Sequence, residues 1–125
     1  HIGLTPDGSS TWFLTRLLGR RRVMDLYMNN RVLSAQEALE WGLVNRVVPA
    51  ADLMSEVTKL ASQLARGPTS AYGGIKKLVN MAHNDTLESQ MERETRVIAQ
   101  MSRTKDAREG ISAFVAKRKP QFIGE

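Results

Sequence analysis

The sequence contains no cysteine, which excludes disulfides, thiolate nucleophiles and Cys-type zinc sites and fits a reducing, cytoplasmic setting. It has only two histidines, His1 and His83. Neither has a second histidine or a carboxylate at ligand spacing on a buried helix face, so no metal site is expected. No apolar run approaches the ~20 residues of a membrane-spanning helix, and the first residues lack the basic start and apolar stretch of a signal peptide, so no membrane partner is expected. The Gly-x-Ser-x-Gly elbow, the Gly-x-Gly-x-x-Gly turn and the Lys-bearing P-loop are all missing, which argues against a serine hydrolase and against the common nucleotide-binding loops. Aromatic residues make up 6% of the chain, too sparse to interleave with its basic clusters as base-stacking surfaces do.

What is present is a chain of 125 residues, 42% hydrophobic, with a net charge of +5. That is enough apolar material for one compact domain rather than a disordered segment. The positive charge gathers in Arg20-Arg21-Arg22, Lys76-Lys77 and Lys117-Arg118-Lys119 and favours an anionic partner, whether nucleic acid, acidic lipid or a phosphate-bearing cofactor. Charge alone does not choose among these, although the lack of interleaved aromatics lowers the nucleic-acid reading. The opening His1-Ile2-Gly3-Leu4-Thr5-Pro6-Asp7-Gly8 reads as the middle of a longer sequence, which suggests a fragment or a processed chain.

Helical periodicity dominates. Pro6-Asp7-Gly8 is a turn feeding a helix that places Trp12, Phe13, Leu17 and Leu18 at helical spacings and stops at Gly19. A second helix over Arg20 to Met28 puts Val23, Leu26 and Tyr27 on one face before Asn29-Asn30. Ser34-Ala35-Gln36-Glu37 has capping-box spacing and opens a short helix through Trp41. Gly42 then closes that helix in the left-handed conformation, and Leu43 to Val48 reads as a short strand ended by Pro49, the one convincing strand candidate. Further helices are expected from Ala51 to Arg66, from Thr69 to near Ala82, from Thr86 to about Ser102, and after Thr104, the last with an apolar face of Ile111, Phe114 and Val115. The Gly73-Gly74 pair inside one of them costs about 2 kcal/mol against two alanines, so either two backbones approach there or the helix breaks.

Three residues are candidates for chemistry. Asp7 is first of all a turn carboxylate, but Ile2, Leu4, Trp12 and Phe13 offer an apolar wall that would desolvate it and raise its basicity. Phe114 and Lys117, three apart on a helix face, suit an aromatic ring beside a phosphate, although a solvated helix end explains the basic triplet equally well. His83, beside Asn84 and Asp85, fits a water-facing helix end.

Ile2-Gly3-Leu4-Thr5-Pro6-Asp7-Gly8 followed by Phe13-Leu14-Thr15-Arg16-Leu17-Leu18-Gly19 resembles the segment just past the active-site glutamate of the enoyl-CoA hydratase/isomerase (crotonase) family. Leu33 to Ala38 with Trp41 to Pro49, and Ala113 to Phe122 at the end, are similar to two further family segments in the same order. The resemblance implies a mainly α chain: the helical carboxyl-terminal portion of a crotonase (ClpP/crotonase-like) fold with at most one or two short strands. Residues 1–49 would be the end of the crotonase core and residues 50–125 a helical region for trimerisation and for capping coenzyme A, within one compact unit.

The implied function is proton transfer on an enoyl-CoA thioester through an enolate, with coenzyme A as part of the substrate and no separate cofactor. The amides that stabilise the enolate oxygen would lie in a missing amino-terminal half, so the chain alone is expected to be inactive. Asp7 occupies a position that is glycine in typical hydratases. It is the proton-shuttling aspartate in some family isomerases and the attacking nucleophile in 4-chlorobenzoyl-CoA dehalogenases, which makes it the candidate catalytic residue. Ser9-Ser10 departs from the commoner Pro-Asp-Gly-Gly. Phe114 and Lys117 match positions that reach the adenine and a phosphate of coenzyme A in a neighbouring subunit, and the family implies a homo-oligomer, a trimer or a dimer of trimers. A helical self-association module without catalysis is the rival reading.

Overall fold

A computed structural model describes residues 3–125. His1, weighed above as a metal ligand, and Ile2, part of the expected apolar wall, lie outside the described residues. The described residues form seven α-helices: α1 (Ser10–Leu18), α2 (Arg20–Met28), α3 (Ala35–Glu40), α4 (Leu53–Ala65), α5 (Thr69–Ala82), α6 (Leu87–Met101) and α7 (Lys105–Val115), with a 3₁₀ turn at Ala50–Asp52 before α4.

Their ends follow from side-chain chemistry. The Ser34 hydroxyl accepts from the Glu37 amide at 3.1 Å while the Ser34 amide donates to the Glu37 carboxylate at 3.1 Å, so the expected capping box starts α3. Thr86 and Thr104 accept from the Ser89 and Ala107 amides and start α6 and α7. Gly42, at φ 76°, turns the chain out of α3 in the left-handed region. The expected strand over Leu43–Val48 is not formed, and no strand occurs among the described residues. Its β-branched composition is suitable, but a strand needs a ladder partner. Here the Leu43 and Val44 amides both donate back to the Ala38 carbonyl, at 2.8 and 3.3 Å.

The chain gathers into two compact units that part between Asp52 and Leu53. In the first, Leu18, Val23 and Leu26 form a small buried core with Leu14, Tyr27, Leu33, Trp41 and Leu43 packed around it. Arg31 ties the rim of that core together. Its guanidinium reaches Asp25 at 2.6 Å and Glu37 at 2.8 Å and lies 5.2 Å from the centre of the Trp41 ring, which Arg22 also covers at 4.9 Å. The Arg31 hydrogen bond is the largest influence holding the Asp25 carboxyl below its usual range, whereas Glu37 is held down first by the Ser34 amide.

In the second unit α5 packs on α6. α5 runs unbroken through Gly73-Gly74, and the two glycines differ. A Cβ on Gly74 would stand 3.0 Å from the Val97 side chain of α6, whereas a Cβ on Gly73 would meet nothing within 4 Å. The pair therefore marks a close helix approach on one side only.

Little of this surface is buried. Leu18, Val23, Leu26, Ala38 and Ala113 are the buried hydrophobic residues, and the chain exposes 10304 Å². Two compact bodies sharing this length of chain would expose only about 8,000 Å² between them by area–mass scaling. Apolar helix faces contribute to this exposure. α4 leaves Leu53, Val57 and Leu64 about half exposed. The expected apolar face of α7, Ile111, Phe114 and Val115, points to solvent, while its buried positions are Asp106 and Ala113. The tail lies instead against Gly110 and Asp106: a Cβ on Gly110 would sit 3.5 Å from the Phe122 ring, and Asp106 accepts the Ile123 and Gly124 amides.

The glycine pair gives a direct check. Gly73→Ala is expected to raise the unfolding free energy by about 0.5–1 kcal/mol, since it removes unfolded-state freedom in an open helix position. Gly74→Ala should give no gain or a loss because Val97 must move. Equal stabilisation by both in urea titrations would mean that α6 does not approach Gly74 this closely.

Candidate functional site

Asp7 stands on the lead-in to α1. Gly8 at φ 58° and Ser9 at φ 61° are consecutive left-handed residues, and they reverse the chain so that the Asp7 carbonyl accepts from the Ser10 amide at 3.1 Å and the Ser10 hydroxyl at 2.8 Å. Gly8 adopts this conformation at little cost, but Ser9 bears a strain of roughly 1–2 kcal/mol. The serine at position 9 therefore keeps a backbone shape that glycine would take without strain, and the turn that aims Asp7 is fixed by main-chain bonds. The expected desolvating wall is not assembled within the described residues. Asp7 is exposed, Leu4 is 79% exposed, and Trp12 and Phe13 are also open to solvent. The physical reason is the helix itself: Trp12 and Phe13 leave the face opposite Leu14 and Leu18, stacking edge to face on each other with centroids 4.7 Å apart. Arg16 lies 3.8 Å over the Trp12 ring.

Phe114 and Lys117 do not share a helix face as their spacing predicts. α7 ends at Val115, and Lys117 lies beyond it at φ 51°. The Lys117 amide donates to the Phe114 carbonyl at 3.2 Å and the Arg118 amide to the Ala113 carbonyl at 3.0 Å, the paired bonds of a Schellman end. Glycine is the usual residue there, and a lysine in its place costs roughly 1–2 kcal/mol of backbone strain. Phe114 is 84% exposed, and Lys117 is exposed beside it. The ring and the ammonium are thus both exposed at the end of α7, with the turn and not the helix repeat setting their relation.

Sequence reasoning missed the side chains that hold this turn. Glu109, two turns back on α7, receives Arg118 through both guanidinium nitrogens, at 2.6 and 2.8 Å, and accepts the Gln121 amide at 2.8 Å. Arg118 foremost, and then the Gln121 amide, hold the Glu109 carboxyl down at about 2. Farther along, the buried Asp106 accepts the Ile123 and Gly124 amides, both at 2.8 Å. Ser70 donates to the Gly124 carbonyl at 2.7 Å. A Cβ on Gly124 would stand 2.6 Å from the Thr69 hydroxyl, so the tail seats there only as glycine. The signal was in the sequence as two acidic residues spaced three apart on α7, ahead of a basic, proline-containing end, but their partners lie 9 to 18 residues away.

Among the described residues no group of three or more His, Cys, Asp or Glu side chains stands close enough to hold a metal ion. His83 is the exposed C-cap of α5, as expected. No helix among the described residues is long and apolar enough to cross a membrane.

Comparison with known proteins places the chain in a family. The enoyl-CoA hydratase/isomerase family model matches residues 1–125. The chain is 43% identical over 124 residues to 1,2-epoxyphenylacetyl-CoA isomerase of Escherichia coli, covering 99% of this chain and 47% of that protein. It is 45% identical over 93 residues to a 4-chlorobenzoyl coenzyme A dehalogenase of an Arthrobacter species, covering 74% of this chain and 34% of that protein. The crystal structure of an enoyl-CoA hydratase from a Polaromonas species superposes with a TM-score of 0.89 at 40% identity, over 98% of this chain and 48% of that one. The chain thus spans about half the length of the first of these relatives and of the solved structure.

The Glu109 pair makes a prediction with a definite sign. The folded value of about 2 lies below the ordinary 4.5, so the stability the pair contributes is fully present above about pH 4.5 and is lost as pH falls towards 2. The stability difference between the wild type and Glu109→Gln, read from urea titrations, is expected to shrink over that interval. A difference that stays constant from pH 6 to pH 2.5 would show that the carboxylate charge contributes nothing.

Proposed function

This chain belongs to the enoyl-CoA hydratase/isomerase family, and from that premise we propose that it supplies the acid–base residue and part of the coenzyme A contact of an enzyme that moves a proton on an acyl-CoA thioester. The observation that carries the proposal is Asp7. In the first unit Asp25 and Glu37 are engaged by Arg31, whereas Asp7 is presented to solvent on a turn whose backbone is fixed by consecutive left-handed residues.

A carboxylate placed in this way removes a proton from one acyl carbon, leaving an enolate, and returns it to another, so that the carboxylate ends the cycle as it began. The enolate oxygen requires preorganised N–H donors in a dry site, a contribution worth several kcal/mol. Those donors, and the apolar cover that Asp7 lacks here, would come from further polypeptide of the same enzyme. The exposed faces of α4 and α7 suit a homo-oligomer, a trimer or a dimer of trimers, in which residues from 50 onward supply subunit contacts. At the end of α7 the Phe114 ring would lie against the adenine and the Lys117 ammonium near a phosphate, where a compact point charge is an ordinary solution.

The Arthrobacter relative supports a second reading, in which Asp7 attacks the chlorine-bearing ring carbon, the C–Cl bond breaks to release chloride, and the resulting aryl ester is cleaved by water to restore the carboxylate. The substrates separate the two. In the enzyme that carries this chain, Asp7→Asn is expected to lower kcat for double-bond isomerisation of a 3-enoyl-CoA by about two orders of magnitude or more. Near wild-type turnover would return Asp7 to a turn residue, and chloride release from 4-chlorobenzoyl-CoA by the wild type would favour the second reading.

Position 117 should separate stability from binding. Lys117→Gly is expected to stabilise the fold by about 1 kcal/mol through relief of backbone strain, while weakening acyl-CoA binding. Lys117→Ala should raise KM for acyl-CoA and leave the affinity for a coenzyme A-free acyl analogue unchanged. Equal losses for both ligands with Lys117→Ala would overturn the phosphate contact.

A further inference from the structure

We propose that Glu109 is the positioning residue for the Lys117 ammonium, closing the loop of residues 118–121 onto one carboxylate so that the turn at Lys117 keeps its left-handed shape. The inference rests on the reading of Lys117 as a coenzyme A phosphate contact and deepens it.

The turn's own amide bonds define where α7 stops, but they do not fix where the chain goes next. Glu109 does. Its two carboxylate oxygens take the two ends of the Arg118 fork at 2.6 and 2.8 Å, and the oxygen bound to Nη1 also accepts the Gln121 amide at 2.8 Å. Arg118 in turn donates to the Lys119 carbonyl at 3.2 Å. One side chain thus gathers the residues on the far side of Lys117 and returns them to the helix that precedes it. A lone exposed ion pair would do little, but a bidentate fork with a third bond to the same carboxylate holds a direction as well as a distance.

Two consequences bear on Lys117. The Arg118 charge is committed to Glu109, so the central residue of the basic triplet is turned back to the protein, whereas the Lys117 side chain is exposed at the turn. Lys117 also holds a backbone conformation that a lysine leaves when nothing constrains it. Releasing the Glu109 tie leaves the two amide bonds of the turn to hold that conformation against its strain, so residue 117 departs from it more often and the ammonium then samples directions that do not meet the phosphate. Glu109 itself is only partly exposed, at 25%, and fully occupied by these partners, so it acts through Lys117 and not on the ligand.

The test is a KM-against-kcat split in the enzyme that carries this chain. It uses one acyl group presented either as its coenzyme A ester or as its pantetheine ester, which lacks the adenosine and its phosphates. Glu109→Gln is expected to raise KM for the coenzyme A ester several-fold, up to about tenfold, with kcat and the pantetheine ester unchanged. Adding Lys117→Ala should cause no loss beyond that of Lys117→Ala alone. Should Glu109→Gln fail to fold, Arg118→Lys keeps the charge, loses the fork and should show the same split. An unchanged coenzyme A ester KM in Glu109→Gln, an equal loss for both esters, or losses that add with Lys117→Ala would overturn the positioning role. If Lys117→Ala itself leaves KM unchanged, the phosphate contact has failed, a result distinct from the failure of Glu109 alone.

Discussion

Burial is the scarce quantity in this chain, and the rest of the structure follows from how it is obtained. Helices hold their places when an apolar face is covered, yet five hydrophobic residues are all that the described residues bury. The first unit obtains cohesion from three core side chains and a polar rim. Arg31, between Asp25 and Glu37 and stacked over Trp41, joins the end of α2 to the cap of α3. The second unit obtains it from the α5–α6 contact and from a tail that folds back on α7. Apolar faces stay open on α1, α4 and α7.

The tail shows how polar bonds substitute for a core. Asp106 and Glu109 lie one helical turn apart on α7, and each collects main-chain amides from residues 121–124. The acidic residue in the first turn of α7 also complements the positive end of the helix dipole. Since both carboxylates are committed to the tail, the turn between helix and tail is held from both sides. That turn carries the lysine proposed to meet the phosphate.

The parts of the fold legible in the sequence were those written in local chemistry. Ser34 and Glu37 announce a capping box because both partners lie within four residues, and Thr86 and Thr104 announce helix starts for the same reason. Gly42 announces a left-handed exit. The strand expected over Leu43–Val48 failed because composition says only that a segment suits a pleated surface, whereas forming one requires a neighbour. The apolar face that Ile111, Phe114 and Val115 form on α7 is open to solvent, because spacing defines a face without saying what covers it, while Gly110 admits the Phe122 ring. The helix spacing of Phe114 and Lys117 was a good reason to pair them, but the helix ends between them.

The sequence by itself determined a mainly helical chain with most helix ends placed to within a few residues, a turn at Asp7 before α1, and the resemblance to the family, because each depends on short-range spacing or on ordered motifs. Only the tertiary structure decided that Gly74 and not Gly73 meets α6, that Ser9 and Lys117 hold left-handed backbones, and that Glu109 ties down Arg118. Those outcomes depend on atoms brought together from distant positions, where a few tenths of an ångström or the sign of φ separates one arrangement from another. No periodicity along the chain encodes that difference.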